Sequence, residues 1–528
     1  MHISIFNDVI GPVMRGASSS HCAAALRIGR LARDLMEGEI AAVLVELDRA
    51  GALPTTHESQ GSDMGLCGGL LGWEATDDRL PDSARWLREA GVDLTFAIVD
   101  VGDPHPNTYR LTLRNARGER SLIAVSTGGG MVEVVSIDGF PVSICGDYLE
   151  TLFFGDTEAG PGVAERLAGL EPGTEVLTHR QPGRTLVEVR GRDFVDEGVV
   201  AGIRAEWPGV QVRRLSPVLP VRSRPGLQVP FDTCAGLIEH DAGRQIPLWQ
   251  WAVAYERARG DLSEAEVLER MVEIVRVLRR SIAQGVEGTR YDDRLLGHQS
   301  GAFRRRMEEG RLVQAGALNR TVLYTAALME VKSSMGLIVA APTAGACAAL
   351  PASCIAVAED MGLSEEDMAR AMLAAGLIGV FIASRWTFAA EVGGCQAEGG
   401  SAAAMAAAAL VTLNDGSLAQ AVAAASLALQ GMLGLICDPV AARVEVPCLG
   451  KNVLAATNAI SCANMALADF DPVIPFDEVV EAAKTVAAQM PRELRCTALG
   501  GLAVTPTSIR LEGVLKARMA ARCGGGCG

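Results

Sequence analysis

Aromatic residues are scarce in this sequence, at 4% of 528 residues, although apolar residues reach 49% and charged residues 21%. Such a composition excludes a disordered chain and is typical of a globular one. With few rings to fill a core, a chain rich in alanine and glycine must pack its helices closely through small side chains. The length exceeds that of one ordinary domain, so we expect roughly two to four domains.

Positive charge is also in short supply, and the formal net charge is −15. Nucleic acid and anionic membranes attract basic surfaces, so this charge argues against both as partners. The first residues, "MHISIFNDVIGPVMRG", lack the basic region and the long apolar run of a signal peptide. The apolar segments 335–360 and 402–434 are interrupted by prolines or by "NDG", which favours buried helices over membrane spans. The sequence therefore predicts a cytoplasmic protein.

Paired CxxC knuckles are missing too, although the chain has thirteen cysteines. A structural zinc site would normally show such pairs. In a reducing compartment the cysteines are not expected to form disulfides. They remain as core residues, metal ligands or reactive groups.

Hydrophobic patterning predicts an α+β protein of several domains. Residues 1–147 mix strand-like segments such as "AAVLVELD", "YRLTLRN" and "VEVVSIDG" with helical ones, which predicts an α/β domain. Residues 148–221 show a βαββαβ order, the ferredoxin-like pattern of split βαβ units, and predict a second domain. The segment "VRSRPGLQVP" that follows is interpreted as a linker.

Residues 232–520 are patterned almost wholly as helices and predict an all-α domain. "SEAEVLERMVEIVRVLRRSIAQGV" is amphipathic, and "SEEDMARAMLAAGLIGVFIASRW" opens on a capping-box-like Ser364-x-x-Asp367. Residues 521–528, "RCGGGCG" with one preceding alanine, have the composition of a flexible tail.

Three cysteines stand beside glycine or proline at breaks between helical segments: Cys395 in "EVGGCQAEGG", Cys437 in "ICDPV" and Cys448 in "VPCLGKN". A cysteine in an alanine-rich core can simply be a small hydrophobe, and this interpretation is applied to Cys234, Cys354 and Cys462. A metal ligand, in contrast, must turn out of a helix toward a common centre. Three dispersed thiols without a fourth fit an iron–sulfur cluster with one open iron, which can act as a Lewis acid. Spacing alone leaves both interpretations open.

Several long motifs together resemble the iron–sulfur-dependent L-serine dehydratases. They are "VIGPVMRGASSSHCAAALRIGRLAR", "HPNTYRLTL", "STGGGMVEVVSIDGF", "MGLIVAAPTAGACAALPA", "EVGGCQAEGGSAAAMAAAAL" and "CDPVAARVEVPCLGKN". The match covers most of the chain. Its first part is similar to the family's β portion and its helical part to the α portion, here in one polypeptide.

The resemblance implies a 4Fe–4S cluster held by Cys395, Cys437 and Cys448. It also implies that the chain dehydrates L-serine, or a close β-hydroxy amino acid, to a 2-oxo acid such as pyruvate and ammonia without pyridoxal phosphate. Residues 148–221 lie where some family members carry an ACT-like domain, so this segment is expected either to bind an amino-acid effector or to mediate assembly.

"SSSH" (Ser18, Ser19, Ser20 and His21) is predicted to open a helix, and its hydroxyls with the helix N-terminal amides could cradle the substrate carboxylate. A plain N-cap is the alternative. Thr343 in "APTAG" is a candidate substrate contact or a helix-capping turn. Lys451 and Asn452 follow Cys448 in "CLGKN" and could orient substrate, or could lie in a solvated loop.

The family usually carries a Gly-His-Gly-Thr-Asp-like stretch, where this chain reads "THESQGSD". Asp63 fits, but Gln60 takes the place of the family's histidine, and glutamine cannot accept a proton. If that histidine is the family's base, His57 is the nearest replacement and Glu58 another. Neutral imidazole has a pKa of about 6.5, which suits a base near neutrality.

Cys22 is a second departure, because the family tends to have threonine after the histidine of "SSSH". Both departures lie at the substrate end of the expected site. The substrate could therefore be another amino acid, and the reaction a β-elimination like that of a cysteine desulfidase or a hydroxyaspartate dehydratase. A non-catalytic amino-acid or redox sensor is the non-enzyme alternative. Cys527, near the end of the tail with Cys523, is a candidate ligand for the open iron, as the resemblance implies. Alanine-rich surfaces favour a homodimer.

Overall fold

A computed structural model describes residues 2–58, 60–170, 173–291 and 294–523. The chain forms two compact units, one of residues 18–228 and one that joins residues 1–17 to residues 229–528. The boundary after residue 228 falls within the segment interpreted as a linker. The protein is mixed α+β, with sheets toward the N-terminus and helices toward the C-terminus, so the predicted fold class is confirmed at this level.

The secondary structure follows the chain in this order. The strands are β1 (Val13–Arg15), β2 (Ala42–Asp48), β3 (Asp93–Val99), β4 (Thr108–Asn115), β5 (Gly118–Gly128), β6 (Met131–Ile137), β7 (Phe140–Ile144), β8 (Leu149–Asp156), β9 (Glu175–Gln181), β10 (Arg184–Gly191), β11 (Gln211–Leu215) and β12 (Leu337–Val339). The helices are α1 (Ala24–Leu35), α2 (Leu53–Thr56), α3 (Ser62–Leu70), α4 (Ser83–Glu89), α5 (Ala159–Leu167), α6 (Glu197–Glu206), α7 (Cys234–Asp241), α8 (Leu248–Gly260), α9 (Glu264–Glu287), α10 (Ser300–Glu308), α11 (Ala317–Ser333), α12 (Ala349–Met361), α13 (Glu365–Arg385), α14 (Ala390–Gly393), α15 (Ser401–Leu413), α16 (Leu418–Gln430), α17 (Val446–Leu467), α18 (Phe476–Gln489) and α19 (Pro506–Cys523).

In the unit of residues 18–228, the larger sheet has the order β3-β2-β4-β5-β6-β7. Only the β2–β3 pair among these described strands is parallel, and the other neighbours are antiparallel. Alternating residues of β4 and β6 are buried, which is the period-2 pattern of a sheet with one covered face. Helix α1 lies against this sheet through the buried face that contains Ile28, Leu31 and Leu35.

Glycines let α1 and α3 approach each other closely. A Cβ added at Gly65 would come within 2.1 Å of the Cys22 carbonyl oxygen, and one at Gly69 within 2.1 Å of the Leu26 carbonyl oxygen. Any side chain at these positions would force the two segments apart. This close packing holds the start of α3 beside the residues that precede α1, and both places carry predicted site residues.

The smaller sheet of the same unit has the order β11-β8-β10-β9, with all neighbours antiparallel. Helix α5 connects β8 to β9 and helix α6 connects β10 to β11, which is the βαββαβ order predicted from the sequence. The apolar faces of both helices pack on this sheet around Phe153, Val163 and Ile203.

The other unit is built around α15, whose alanine-rich surface is buried on nearly all sides. Helices α12, α13, α16 and α17 surround it. Helix α13 opens with the predicted capping box between Ser364 and Asp367. By length and composition α13 is the one described helix that could cross a membrane. Its most apolar stretch of 18 residues is 78% buried inside the protein.

The first residues of the chain pack with this helical unit. Strand β1 pairs antiparallel with β12, so that Met14 lies opposite Ile338. The buried carboxylate of Glu256 accepts hydrogen bonds from the Ser4 hydroxyl (2.5 Å) and the Ile5 main-chain N–H (2.9 Å). No sequence pattern predicted this association, because neither segment has a partner nearby in the chain.

Candidate functional site

Three separate breaks in the helical unit bring cysteines together. Cys395 ends the loop after α14, Cys437 follows the turn after α16, and Cys448 lies in the first turn of α17. Each is buried, with 3–5% of its surface exposed. The thiol of Cys437 lies within hydrogen-bonding range of the Cys395 thiol, and Cys448 is close enough to Cys395 for their charges to interact. The three predicted ligands therefore share one region of the protein.

Cys496, which the sequence analysis did not single out, is a fourth thiol in this region. Its side chain packs with Cys395 and Cys437 and lies within hydrogen-bonding range of the Cys437 thiol. The main chain fixes this contact, because the Cys496 N–H donates to the Cys437 carbonyl oxygen (3.1 Å) and the Cys437 N–H donates to the Leu494 carbonyl oxygen (2.8 Å). A cysteine beside a helix break, in "RCTALGG", was the available signal.

The surroundings of Cys437 and Cys448 favour the neutral thiol when no metal is bound. Hydrogen bonding to the thiols of Cys395 and Cys496, together with burial, raises the pKa of Cys437. Burial raises the pKa of Cys448, whereas the positive charge of Lys332 lowers it. Thiolates in such a place need a cation to offset their charge, which a metal centre provides.

The donor set fits an iron–sulfur cluster in its chemistry. Buried thiols from separate elements meet in one place, with the apolar side chains of Ala390 and Leu435 packed against Cys395 and Cys437, and such thiols are the ligands of iron–sulfur clusters. Within the described residues, no three His, Cys, Asp or Glu side chains are placed to share a single metal ion. A cluster differs in this respect, because it binds each thiolate at a different iron.

Lys451 is held against these thiols. Its Nζ donates to Asp438 Oδ1 (2.5 Å), to the Ile436 carbonyl oxygen (2.7 Å) and to Cys395 Sγ (3.6 Å). Asp438 in turn accepts a hydrogen bond from the Leu502 main-chain N–H (3.0 Å). Lys451 is therefore a fixed cation at Cys395, whereas a lysine in a solvated loop would point into water.

Thr343 contacts a carboxylate that the sequence analysis did not single out. Its hydroxyl donates to Glu398 Oε2 at 2.6 Å. Gly345 leaves room for this carboxylate, since a Cβ there would lie 2.0 Å from the same oxygen. Burial raises the pKa of Glu398 to about 7, although the Thr343 hydrogen bond lowers it. Glu398 can therefore gain or lose a proton near neutrality.

Lys332, in α11, is a buried cation close to Cys448 and Glu398. Its side chain is 1% exposed, and its Nζ makes no hydrogen bond to the described residues. The charge of Lys332 lowers the pKa of both Cys448 and Glu398. An ammonium without hydrogen bonds is costly inside a protein unless negative charge is near. Lys332 lies in the last turn of α11, where a lysine is commonly exposed, so the local sequence carries no signal of its burial.

The side chain of Asn452 forms hydrogen bonds with four main-chain groups. Its Oδ1 accepts from the N–H groups of Ala348 (3.2 Å) and Ala349 (3.1 Å), and its Nδ2 donates to the carbonyl oxygens of Gly345 (2.8 Å) and Cys448 (2.8 Å). These bonds join the start of α12 to the first turn of α17. In this arrangement Asn452 positions Cys448 and the loop of Thr343.

In the unit of residues 18–228, "SSSH" begins a helical turn, Ser19–Ala23, that leads into α1. His21 is 7% exposed, with Nδ1 2.9 Å from Ser18 Oγ and Nε2 2.9 Å from Thr56 Oγ1. The Thr56 hydroxyl donates to the Ala52 carbonyl oxygen (2.8 Å), so Nε2 carries the proton and Nδ1 accepts from Ser18. Burial and the nearby His57 lower the pKa of His21 to about 4, so it is neutral at pH 7.

His57 and Asp63, both predicted catalytic residues, form a pair. His57 Nδ1 lies 2.6 Å from Asp63 Oδ1, and the imidazole stacks on Phe96 with ring centres 5.0 Å apart. The hydrogen bond that His57 Nδ1 donates to Asp63 raises the pKa of His57, while burial lowers it. The carboxylate fixes the proton on Nδ1 and leaves Nε2 as the basic nitrogen.

The remaining predicted residues have less specific surroundings. Ser19 is buried and Ser20 is partly exposed, and as first-turn residues their amides lack partners within the helix. The main-chain N–H of Gln60 donates to the Thr56 carbonyl oxygen (2.9 Å). Cys22 is buried under Gly61 and Gly65. The predicted tail ligand, Cys527, lies outside the described residues.

Comparisons with known proteins agree with the motifs. Residues 243–503 match the family model described as "Serine dehydratase alpha chain". The chain is 36% identical to the "Probable L-serine dehydratase, alpha chain" of Bacillus subtilis, over 53% of this chain and 94% of that protein. It is 35% identical to the "L-serine dehydratase, alpha chain" of Peptoniphilus asaccharolyticus, over 53% of this chain and 97% of that protein. It is also 36% identical to the "Probable L-serine dehydratase, beta chain" of Bacillus subtilis, over 31% of this chain and 74% of that protein.

Proposed function

This chain belongs to the L-serine dehydratase family and carries both of its portions in one polypeptide, and on that premise we propose that it eliminates water from L-serine to yield pyruvate and ammonia. It is a lyase. The observation that supports an iron–sulfur mechanism is the cluster of buried thiols around Cys437. We assign Cys395, Cys437 and Cys448 to a 4Fe–4S cluster, and no pyridoxal phosphate is required.

The reaction must overcome two barriers, a poor leaving group and a weakly acidic α-proton. When bound, a cluster with one iron free of protein ligands supplies a Lewis acid for departure of the β-hydroxyl. Lys451 and Lys332 surround the thiols with positive charge and offset the charge of thiolates and sulfides. Elimination leaves an aminoacrylate, which hydrolyses to pyruvate and ammonia.

We assign removal of the α-proton to Nε2 of His57. Asp63 holds the opposite nitrogen at 2.6 Å, and the ring is fixed by its stack on Phe96. Asp63 also stabilises the imidazolium that forms when the proton is taken. Gln60 cannot serve, since an amide has no basic nitrogen near pH 7.

The turn at Ser19–Ala23 is our candidate for binding the substrate carboxylate. Its first amides lack intrahelical partners and form the positive end of the helix dipole. The neutral His21 fixes the Ser18 hydroxyl, which leaves the Ser18 oxygen as an acceptor for the substrate ammonium. Glu398, which the Thr343 hydroxyl contacts, is a candidate to donate a proton to the departing hydroxyl so that it leaves as water, because the pKa of Glu398 is about 7.

The βαββαβ segment is proposed as an ACT-like domain that binds an amino-acid effector or mediates assembly. Its element order and antiparallel sheet support this assignment. We further propose that the enzyme works in the reducing cytoplasm, because a cluster and free thiols require protection from oxygen, and that it is a homodimer.

Anaerobic reconstitution with iron and sulfide, followed by turnover assays, tests the proposal. We expect cluster absorbance in the visible region and pyruvate formation from L-serine. A panel containing L-cysteine and 3-hydroxyaspartate decides between serine and the alternative substrates that Gln60 and Cys22 raise. A chain that binds no cluster under these conditions, or that turns over no amino acid with the cluster in place, would contradict the proposal.

The pH dependence of turnover should report the His57–Asp63 pair. The pKa of His57 is raised above 6.5, and only the deprotonated imidazole can accept a proton. The value of kcat/KM should therefore rise with pH through a midpoint above 6.5. Asp63→Asn removes the main cause of the raised pKa, so the midpoint should move to lower pH while kcat falls. Glu58→Gln, whose charge contributes less, should shift the midpoint less. An identical midpoint in wild type and Asp63→Asn would remove His57 from this role.

A further inference from the structure

A cavity of about 390 Å³ lies within the unit of residues 18–228, and none of the site residues described above lines it. Its wall is formed by the β4–β5 hairpin, the β6–β7 turn, the start of β10 and strand β11. Four arginines line it: Arg117, Arg120, Arg184 and Arg213. We call it the arginine cavity. No part of the proposed reaction uses it.

The acidic residues of the wall are already engaged. Glu119 Oε2 accepts from Arg114 Nε at 2.6 Å. Asp138 accepts from the Ser121 main-chain N–H (2.8 Å) and forms an ion pair with Arg120. These two acids therefore do not neutralise the remaining arginines of the cavity.

Arg184 has no carboxylate of its own among the described residues. Its Nη2 lies 4.0 Å from Asp138 Oδ2, the oxygen that Arg120 already engages. Its guanidinium lies over the Phe140 ring, 5.1 Å from the ring centre, and its side chain is half exposed. This geometry fixes the guanidinium at the cavity while leaving its donors available.

Arg213 is likewise short of acceptors. Its Nη1 donates to the Val212 carbonyl oxygen (2.8 Å) and lies 3.7 Å from Glu37 Oε2, and Glu37 also pairs with Arg117 at 2.9 Å. The Nε of Arg213 is buried without a hydrogen bond to any described residue. Burial and the positive charge of Arg120 lower the pKa of Arg213. An anion in the cavity would relieve this crowding of like charges.

We propose that the arginine cavity binds a small dianion whose oxyanion groups are held by Arg184 and Arg213. Planar guanidinium groups bind carboxylate or phosphate oxygens through paired hydrogen bonds, which selects this class over neutral ligands. A dicarboxylate and a phosphate monoester share this chemistry, and the volume accommodates a metabolite of either kind.

The position of the arginine cavity makes it suited to regulation. Arg117, in the β4–β5 turn, and Arg120, in β5, belong to a hairpin of the larger sheet, whereas Arg184 and Arg213 lie in strands of the smaller one. Bound anion would link the two sheets and stabilise their present arrangement. This inference goes beyond the proposed reaction and does not depend on a cluster.

Calorimetric titration of the full-length protein with inorganic phosphate and with succinate, at constant ionic strength set by chloride, tests the proposal. At least one anion should bind saturably, one per chain. Arg213→Gln should raise its Kd at least about tenfold, as expected for loss of a charge-assisted hydrogen bond. Arg184→Gln, at a half-exposed position where folding is not at risk, should do the same.

Arg180→Gln is the matched control, because Arg180 is an exposed residue of β9 outside the cavity and the substitution removes the same charge. Its Kd should equal that of the wild type. Binding of phosphate alone supports a phosphorylated ligand, and binding of succinate alone supports a dicarboxylate. Binding of neither anion, or equal Kd values in all three variants, would overturn the proposal. The measurement needs no turnover, so its failure is distinct from failure of the proposed function.

Discussion

Replacing Cys448 by serine should abolish the cluster and with it the activity. A serine hydroxyl is a poor iron ligand, and at a position that is only 5% exposed solvent water has little access to replace the lost thiolate. A bound metal contributes several kcal/mol to such a reaction, so we expect turnover to fall by at least about 10³-fold. Iron and sulfide per chain, measured after anaerobic reconstitution, should fall in parallel. Cys395→Ser and Cys437→Ser should behave in the same way.

Cys462→Ser is the matched control for this experiment. Cys462 is a buried cysteine of the same helix, α17, with its thiol 3.5 Å from Asn458 Oδ1 and in an ordinary core position. This variant should keep its iron, its sulfide and its activity. Full iron content in Cys448→Ser would contradict the ligand assignment.

Cys496→Ser separates two possible ligand sets, because four thiols share the region. Under our assignment of Cys395, Cys437 and Cys448, this variant should still bind a cluster. If it lost the cluster while Cys448→Ser kept it, the third ligand would be Cys496. Its direct packing with Cys395 and Cys437 makes this comparison necessary.

The local features of the fold were predictable because local sequence determines them. Period-2 patterning located β2, β4 and β6, and Ser364-x-x-Asp367 located the start of α13. The helical turn at "SSSH" was predicted for the same reason. Each of these depends on residues within a few positions of one another.

Features that depend on distant parts of the chain were missed. Cys496 meets Cys437 through a main-chain bridge between segments about 60 residues apart, and the pairing of β1 with β12 joins segments more than 300 residues apart. Lys332 has the pattern of an exposed lysine and becomes buried only when α11 packs against its neighbours. Hydrophobic periodicity carries no information about such contacts.

The same limit applies to the catalytic base. Gln60 stands where the family has histidine, so His57 and Glu58 are the nearest groups that can accept a proton, and their spacing in the sequence does not distinguish them. The structure distinguishes their surroundings. His57 has a carboxylate partner and a stacked ring, whereas Glu58 is exposed. Fixed orientation is what general base catalysis requires.

His57→Gln should therefore leave a folded, cluster-binding protein that turns over serine about 10²–10⁴-fold more slowly. Glutamine retains a polar side chain of similar reach but cannot accept the α-proton at neutral pH. The loss should appear in kcat, with iron content and visible absorbance unchanged, because His57 is not among the thiol ligands. Glu58→Gln is the control and should retain most of the wild-type kcat near neutrality. If Glu58→Gln lost as much as His57→Gln, or if His57→Gln kept its rate, proton removal would belong to another residue, and Glu398, whose pKa is about 7, would be the next to substitute.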